Sequence, residues 1–194
     1  ALEGALQGES SVSIRVNPLK WQKGLVHASS EKIPWAEGGY YLSERPAFTF
    51  DPLFHAGCYY VQEASSMFVQ RVLEQYVPAA CRMLDLCGAP GGKSTLARAV
   101  LPEGSLLVSN EIVRNRAQVL AENMVKWGHP DVIVTQNAPA DFTPLTHFFD
   151  VILADVPCSG EGMFRKDADS IEEWSMGNVD VCWQRQRNIV SDVW

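Results

Sequence analysis

The sequence lacks several things, and each absence narrows what it can do. No apolar run reaches the roughly 20 residues that a bilayer-crossing helix requires, so no membrane segment is expected. Ala1–Ser10 shows no basic stretch followed by an apolar one, and no signal peptide is expected there. The five cysteines, Cys58, Cys81, Cys87, Cys158 and Cys182, include no C-x-x-C pair. An odd number of cysteines in a chain of 194 residues predicts reduced thiols and a cytoplasmic setting rather than a disulfide framework. His55 and Cys58 have no second pair to complete a ligand set, so no metal is expected. Positive charge is scarce: 16 Lys and Arg face 23 Asp and Glu, a net charge of -7. Proteins that hold nucleic acid mainly through phosphate charge carry the opposite balance. Any such partner must therefore meet a local basic patch or a segment outside this sequence.

What is present is globular in texture, with 46% hydrophobic and 20% charged residues. Near the N-terminus, Val12, Ile14 and Val16 alternate with Ser11, Ser13, Arg15 and Asn17, which predicts a strand over Ser11–Asn17 closed by Pro18. Short strands are expected near Tyr40–Leu42 and Tyr59–Val61, giving a small mixed module over residues 1–61. Gln62–Tyr76 predicts a helix with Ala64, Met67, Phe68, Arg71, Val72 and Gln75 at helical spacing. From Arg82 onward strands and helices alternate. Strands are expected at Met83–Cys87, Ser105–Ser109, Val132–Thr135 and Phe149–Val156, and helices at Lys93–Leu101 and Val113–Trp127. Further helix is expected at Ile171–Trp174 and Val181–Trp194. Apolar strands alternating with helices imply an α/β fold whose parallel sheet is buried on both faces, over residues 62–194. Such a sheet ending on a helix wants another strand, so the sequence reads as C-terminally incomplete.

Three motifs stand at the carboxyl ends of these strands, where open α/β sheets bind ligands. The first is Asp85-Leu86-Cys87-Gly88-Ala89-Pro90-Gly91-Gly92-Lys93-Ser94, a strand, a Gly-rich turn and a helix start. It is not a P-loop, because Cys87 stands where G-x-x-x-x-G-K-[ST] needs its first glycine. It is not G-x-G-x-x-G, because Pro90 stands two after Gly88. A merely tight strand-to-helix turn is the competing reading. The second is Asn110-Glu111, an acid roughly 20 residues beyond the turn, where a carboxylate accepts from both ribose hydroxyls. Its plain alternative is a solvated Glu. The third is Asp155-Val156-Pro157-Cys158-Ser159-Gly160-Glu161-Gly162. Methylating carbon 5 of a cytosine requires addition of a nucleophile at carbon 6 and an acid or hydrogen-bond partner at ring nitrogen 3. Asp155 and Cys158 are residue types that serve, although a lone cysteine is more often a small buried hydrophobe.

Together these motifs resemble the Nol/Nop/Sun family of RNA cytosine-C5 methyltransferases, and within it the bacterial RsmF (YebU)-like enzymes of 16S ribosomal RNA. Ser13–Asn17, Tyr60–Ser66 and Glu161-Gly162-Met163-Phe164-Arg165-Lys166-Asp167 extend the resemblance over nearly the whole chain. It implies a Rossmann-like class I S-adenosyl-L-methionine-dependent methyltransferase domain, preceded by part of an RNA-recognition module. By position it implies that Cys87, Gly88, Ala89, Pro90, Gly91, Gly92 and Lys93 hold the methionine and ribose parts of the methyl donor. Glu111 would bind the ribose hydroxyls, and Asp155 would stand between donor and cytosine. Cys158 would assist release of methylated RNA, the attacking thiol belonging to a Thr-Cys motif on a fifth strand expected after Trp194. This stretch alone is then expected to be inactive; a cofactor-binding module and a transfer-RNA enzyme are the alternatives. One departure is visible. Where the family has an acid near the adenine, Gln136-Asn137-Ala138-Pro139 puts Ala138, and Asn137 is the candidate substitute.

Overall fold

A computed structural model describes residues 11–21, 30–164 and 169–193 of the chain. Ala1–Ser10, Trp194 and the Arg165-Lys166-Asp167 end of the third stretch of resemblance lie outside the described residues. Among the described residues, strands form two four-stranded sheets, ordered β2-β3-β1-β4 and β7-β6-β5-β8.

The first sheet is antiparallel where its pairs are defined. It comprises β1 (Val12–Val16), β2 (Glu31–Lys32), β3 (Gly39–Leu42) and β4 (Tyr59–Val61), with β1 central between β3 and β4. The alternation in β1 does not mark one dry face and one wet face. Ile14 and Val16 are buried, and so are Ser13, Arg15 and Asn17 on the opposite face. Those three polar side chains are buried because each finds partners. Ser13 Oγ donates to the Gln62 carbonyl at 2.6 Å. Arg15 donates through Nε to Gln62 Oε1 at 2.9 Å and through Nη2 to Thr95 Oγ1 at 2.6 Å, and its guanidinium lies 4.5 Å from the Trp127 ring centre. Asn17 Nδ2 donates to the carbonyls of Gly57 at 2.9 Å and Trp127 at 2.8 Å.

The second sheet is parallel throughout. Its strands are β5 (Arg82–Asp85), β6 (Leu106–Asn110), β7 (Val132–Thr135) and β8 (Val151–Leu153). The helices that matter here are α1 (Pro52–His55), α2 (Val69–Tyr76), α3 (Gly92–Val100), α4 (Arg114–Trp127), α5 (Asp169–Glu173) and α6 (Met176–Val193). On one face of the sheet, Met83 and Leu107 pack against Met67, Leu73, Leu96, Leu120 and Met124. Each such side chain stabilises the fold by roughly 1.5–3 kcal/mol. On the other face, Leu84, Leu86 and Val108 meet Phe142, Phe149 and, from α6, Ile189 and Val193. Helix α4 ends as its sequence requires, with Gly128 in the left-handed region at φ 86°. Its last carbonyls are taken by side chains of the first sheet: Asn17 on Trp127, and Lys20 Nζ on Lys126 at 2.7 Å.

Three expectations need correction. Gln62–Tyr76 is not one helix; Ser65–Phe68 is a 3-10 turn and α2 starts only at Val69. Gln62 instead continues the first sheet, its amide donating to the Ser13 carbonyl. The buried face of α2 is Gln70 and Leu73, while Phe68 and Val72 are exposed. Phe149–Val156 shortens to Val151–Leu153, because beyond Leu153 the chain bends out to form the third motif. The sheet is also not dry on both faces: Ile133 on β7 and Ile152 on β8 are 49% and 40% exposed, so the outer strands are covered on one side only among the described residues.

Replacing Arg15 by Met should destabilise the chain by about 2–4 kcal/mol, because the Gln62 and Thr95 oxygens are left buried without their charged donor. Denaturant midpoints measure this. Arg71→Met, which removes an exposed pair with Glu74 and an exposed bond to the Pro34 carbonyl, should change stability by less than about 1 kcal/mol.

Candidate active site

The first motif folds as its glycines dictate. Gly88 follows β5 and donates its amide to the Asn110 carbonyl at 2.7 Å, which clamps the turn to the end of β6. A Cβ on Gly88 would stand 2.3 Å from Ser109 Oγ and 2.8 Å from Ser94 Oγ, so no side chain fits. Gly91 takes φ 111°, open to glycine at little cost, and α3 begins at Gly92. The outer carbonyls of the loop are held by side chains. Pro90 accepts from Asn123 Nδ2 at 2.7 Å and from the Tyr60 hydroxyl at 3.2 Å, and Ala89 accepts from Arg116 Nη2 at 3.1 Å. Behind the loop, Thr95 Oγ1 donates to the Gly91 carbonyl at 2.7 Å while accepting from Arg15. The loop is thus fixed by α4 and β4 directly and by β1 through Thr95.

The second motif sits directly beside it. Glu111 is buried, one carboxylate oxygen accepting from the Val113 amide at 3.0 Å. The other, Oε2, lies 3.3 Å from Arg116 Nη1 but receives no hydrogen bond. A buried carboxylate oxygen without a donor is costly unless a ligand completes it. Asn110 is the hub of this corner. Its amide donates to the carbonyls of Leu86 and Asn137, at 3.1 and 3.0 Å, and its Oδ1 accepts from Thr135 Oγ1 and the Asn137 amide, at 2.8 and 2.9 Å. One side chain therefore registers the ends of β5, β6 and β7. Asn137 is placed by this hub, and an acid does stand next to it. Asp141 folds back so that its Oδ2 accepts from the Ala138 amide at 2.8 Å and lies 3.4 Å from Asn137 Nδ2. It escaped sequence reasoning because it comes three residues after the position examined. The available signal was Pro139, which starts a tight helical turn that brings Asp141 back.

The third motif meets the first through one contact. Lys93 Nζ, at the start of α3, donates to Asp155 Oδ2 at 2.5 Å. Asp155 itself is half exposed, with 51% of its side chain accessible, so it faces open space while its charge is balanced from behind. Farther along, Glu161 accepts from Ser159 Oγ and from the indole of Trp174, and Gln186 of α6 donates to the Pro157 carbonyl at 2.9 Å. These bonds hold the Pro157–Glu161 turn, on which Cys158 is exposed. Cys87 has the opposite character. Burial, with the charges of Glu111, Asp85 and Asp155, pushes its thiol up to about 11, which leaves it a neutral part of the wall.

Beneath the loop lies Asp85, fully buried. Ser94 Oγ donates to its Oδ2 at 2.6 Å, and Oδ1 has no partner. Burial raises its carboxyl to about 6, against the lowering effect of the Ser94 bond. The structure therefore brings together Cys87–Lys93, Glu111 and Asp155 at one sheet edge, and adds Asp85, Asn110 and Arg116 as supports. Among the described residues, no group of three or more His, Cys, Asp or Glu gathers as metal ligands would.

Comparisons with known proteins agree on a family. The family described as the N-terminal domain of 16S rRNA methyltransferase RsmF matches residues 1–64. The one described as 16S rRNA methyltransferase RsmB/F matches residues 77–194. A ribosomal RNA small subunit methyltransferase F from Shewanella sp. (strain ANA-3) is 37% identical over 191 residues, covering 92% of this chain and 39% of that protein. The chain spans 39% to 40% of the length of the curated relatives it matches. A methyltransferase homolog protein of known structure from Pyrococcus horikoshii is 28% identical with a TM-score of 0.70, over 87% of this chain and 57% of that one. NSun6 from Pyrococcus horikoshii, solved with SFG, reaches a TM-score of 0.79 at 17% identity, over 98% of this chain and 73% of that one. That last likeness is one of fold.

Asp85 gives the site a pH signature. Its carboxyl binds a proton more tightly in the folded chain, near 6, than at the ordinary value of 3.8. The folded state thus holds more protons between these values, and stability falls as pH rises from about 4 to 6, by on the order of 3 kcal/mol. Asp85→Asn, which keeps the shape without the charge, should remove that part of the slope. Thermal unfolding of both proteins across this range checks it; parallel curves would mean that Asp85 titrates normally.

Proposed function

The chain belongs to the RsmB/F family of 16S rRNA methyltransferases, and from that membership we propose that it serves methyl transfer from S-adenosyl-L-methionine to carbon 5 of a cytosine in small-subunit ribosomal RNA. Its fold is the α/β, Rossmann-like fold of class I methyltransferases. We place the boundary between an RNA-recognition module and the methyltransferase domain at residues 61 and 62, and the protein in the cytoplasm.

One observation carries the cofactor half of this reading: a buried Glu111 oxygen without a donor stands beside a Gly-rich loop whose own carbonyls are already occupied. A ribose hydroxyl is the donor that fits such an oxygen. The loop from Cys87 to Lys93 would hold the rest of the molecule, with the amides that open α3 and the Lys93 ammonium facing its carboxylate. Asn137 and Asp141 would meet the adenine edge, Asp141 supplying the acid that Ala138 lacks. When bound, S-adenosyl-L-methionine supplies an electrophilic methyl group.

Asp155 would be the acid or hydrogen-bond partner at ring nitrogen 3 of the cytosine, where charge develops during attack at carbon 6. Its contact with Lys93 sets where that carboxylate stands, tying base and cofactor sites to one ion pair. Cys158, on the exposed turn held by Gln186, Ser159 and Trp174, would help release the methylated RNA. An attacking thiol at carbon 6 is assigned to the longer protein, outside this sequence.

Three measurements test the proposal. By calorimetry the chain should bind S-adenosyl-L-methionine, and Glu111→Ala should weaken binding by about 1–3 kcal/mol; unchanged affinity in a folded variant removes Glu111 from the site. In the full-length protein, Asp155→Asn should lose turnover far more than cofactor affinity. Mass spectrometry of RNA from a strain lacking the gene should show loss of 5-methylcytosine from 16S rRNA; loss from transfer RNA instead would move the substrate.

A further inference from the structure

The RNA-facing surface of this acidic chain must be local, and one pocket outside the cofactor corner has the right chemistry. It is a cavity of about 460 Å³ whose walls include Arg45, Phe48, Phe54, Tyr60, Asn123 and Lys126. That size is within the range of small-ligand sites. Both cations lie against aromatic rings. The Lys126 ammonium is 4.2 Å from the Phe54 ring centre, and the Arg45 guanidinium is 5.8 Å from that of Phe48. The two rings pack on each other with centres 6.2 Å apart, so they form one surface with a cation on each. Among the described residues neither cation forms an ion pair, although the charge of Glu122 acts on Lys126. Phe48 opens a 3-10 turn, Phe48–Phe50, that also carries Phe50, 85% exposed.

Flat apolar faces beside unpaired cations suit a ligand that is itself a flat ring joined to an anion. An unstacked nucleotide is such a ligand: its base lies on an aromatic face and its phosphate meets the cation. The pocket also adjoins the cofactor loop. Tyr60 and Asn123 line it, and both hold the Pro90 carbonyl.

We propose that the pocket between the Arg45–Phe54 segment and Lys126 is a single-stranded RNA subsite that takes one unstacked nucleotide and its phosphate. It rests on the reading of the protein as an RNA methyltransferase, and it adds where RNA beyond the target cytosine is gripped.

Binding of a fluorescent single-stranded RNA of about ten nucleotides, followed by anisotropy over a range of salt, tests it. Arg45→Gln and Lys126→Gln should each reduce the slope of log affinity against log salt by about 0.7, the value for one phosphate contact on a single strand. Phe48→Leu, which keeps an apolar filler, should weaken binding roughly tenfold at fixed salt, within the range for loss of one stacked base. Calorimetry with S-adenosyl-L-methionine, run on the same proteins, should give parental affinity. That control separates the two ideas, because a chain that binds RNA as described but no cofactor fails the proposed function and keeps this subsite. Arg45 is exposed and its variant is expected to fold. Parental slopes in both cation variants overturn the proposal, as does absence of RNA binding by the parent. Parental affinity in Phe48→Leu, with inorganic polyphosphate competing as well as RNA, would show charge attraction without a base site and overturns it too. So does displacement of the RNA by an acidic peptide at equal affinity.

Discussion

The structure depends on a buried polar seam. Ser13, Arg15 and Asn17 leave β1 on the face opposite its apolar residues and run into the interior between the two sheets. Arg15 is the centre of it. Its guanidinium is stacked on Trp127 and donates to Gln62 and Thr95, so the first sheet, the start of α3 and the end of α4 share one cation. Burying an arginine in this way is favourable only when nearly all its donors are used. Here one nitrogen, Nη1, finds no partner, yet the stacking and the remaining bonds hold the group in place. The seam also satisfies carbonyls at the end of α4, which a helix terminus otherwise leaves to water.

That seam links packing to chemistry. Thr95, which accepts the Arg15 bond, donates its hydroxyl to the Gly91 carbonyl, at the residue where the loop turns with positive φ. Tyr60 and Asn123 hold the preceding carbonyl, that of Pro90. The Gly-rich loop is therefore set by side chains from the first sheet and from α3 and α4. Preorganisation of this kind lowers the entropy lost on binding. The N-terminal sheet thus shapes the Gly-rich loop, directly through Tyr60 and by way of Thr95 through Arg15.

Most of the parallel sheet was legible before any coordinates. Apolar runs such as Leu106–Val108, breakers such as Pro102 and Gly128, and the face Ala117, Leu120, Met124 and Trp127 carry the pattern on their own. The candidate site was legible too, because its three motifs are local strings. What was hidden lies in long-range pairing. Alternation in β1 reports a period of two but not what covers the second face, where Arg15 donates to Thr95, 80 positions away. Lys93 and Asp155 are 62 positions apart, and nothing in either string names the other. The apolar positions Phe68 and Val72 suggested a helix face that tertiary packing then gave to Gln70 and Leu73. Gln62 was read as helix because its role, a bond to a buried arginine, is invisible in its neighbours.

Gly88 shows how such a site changes over generations. With no room for a Cβ between Ser94 Oγ and Ser109 Oγ, and with those hydroxyls 2.7 Å from each other, the three positions form one interlocked unit. A larger residue at Gly88 becomes tolerable only after the hydroxyls have gone, and their loss strips Asp85 of its donor. The corner is therefore epistatic: what a larger residue at Gly88 costs depends on which residues stand at positions 94 and 109.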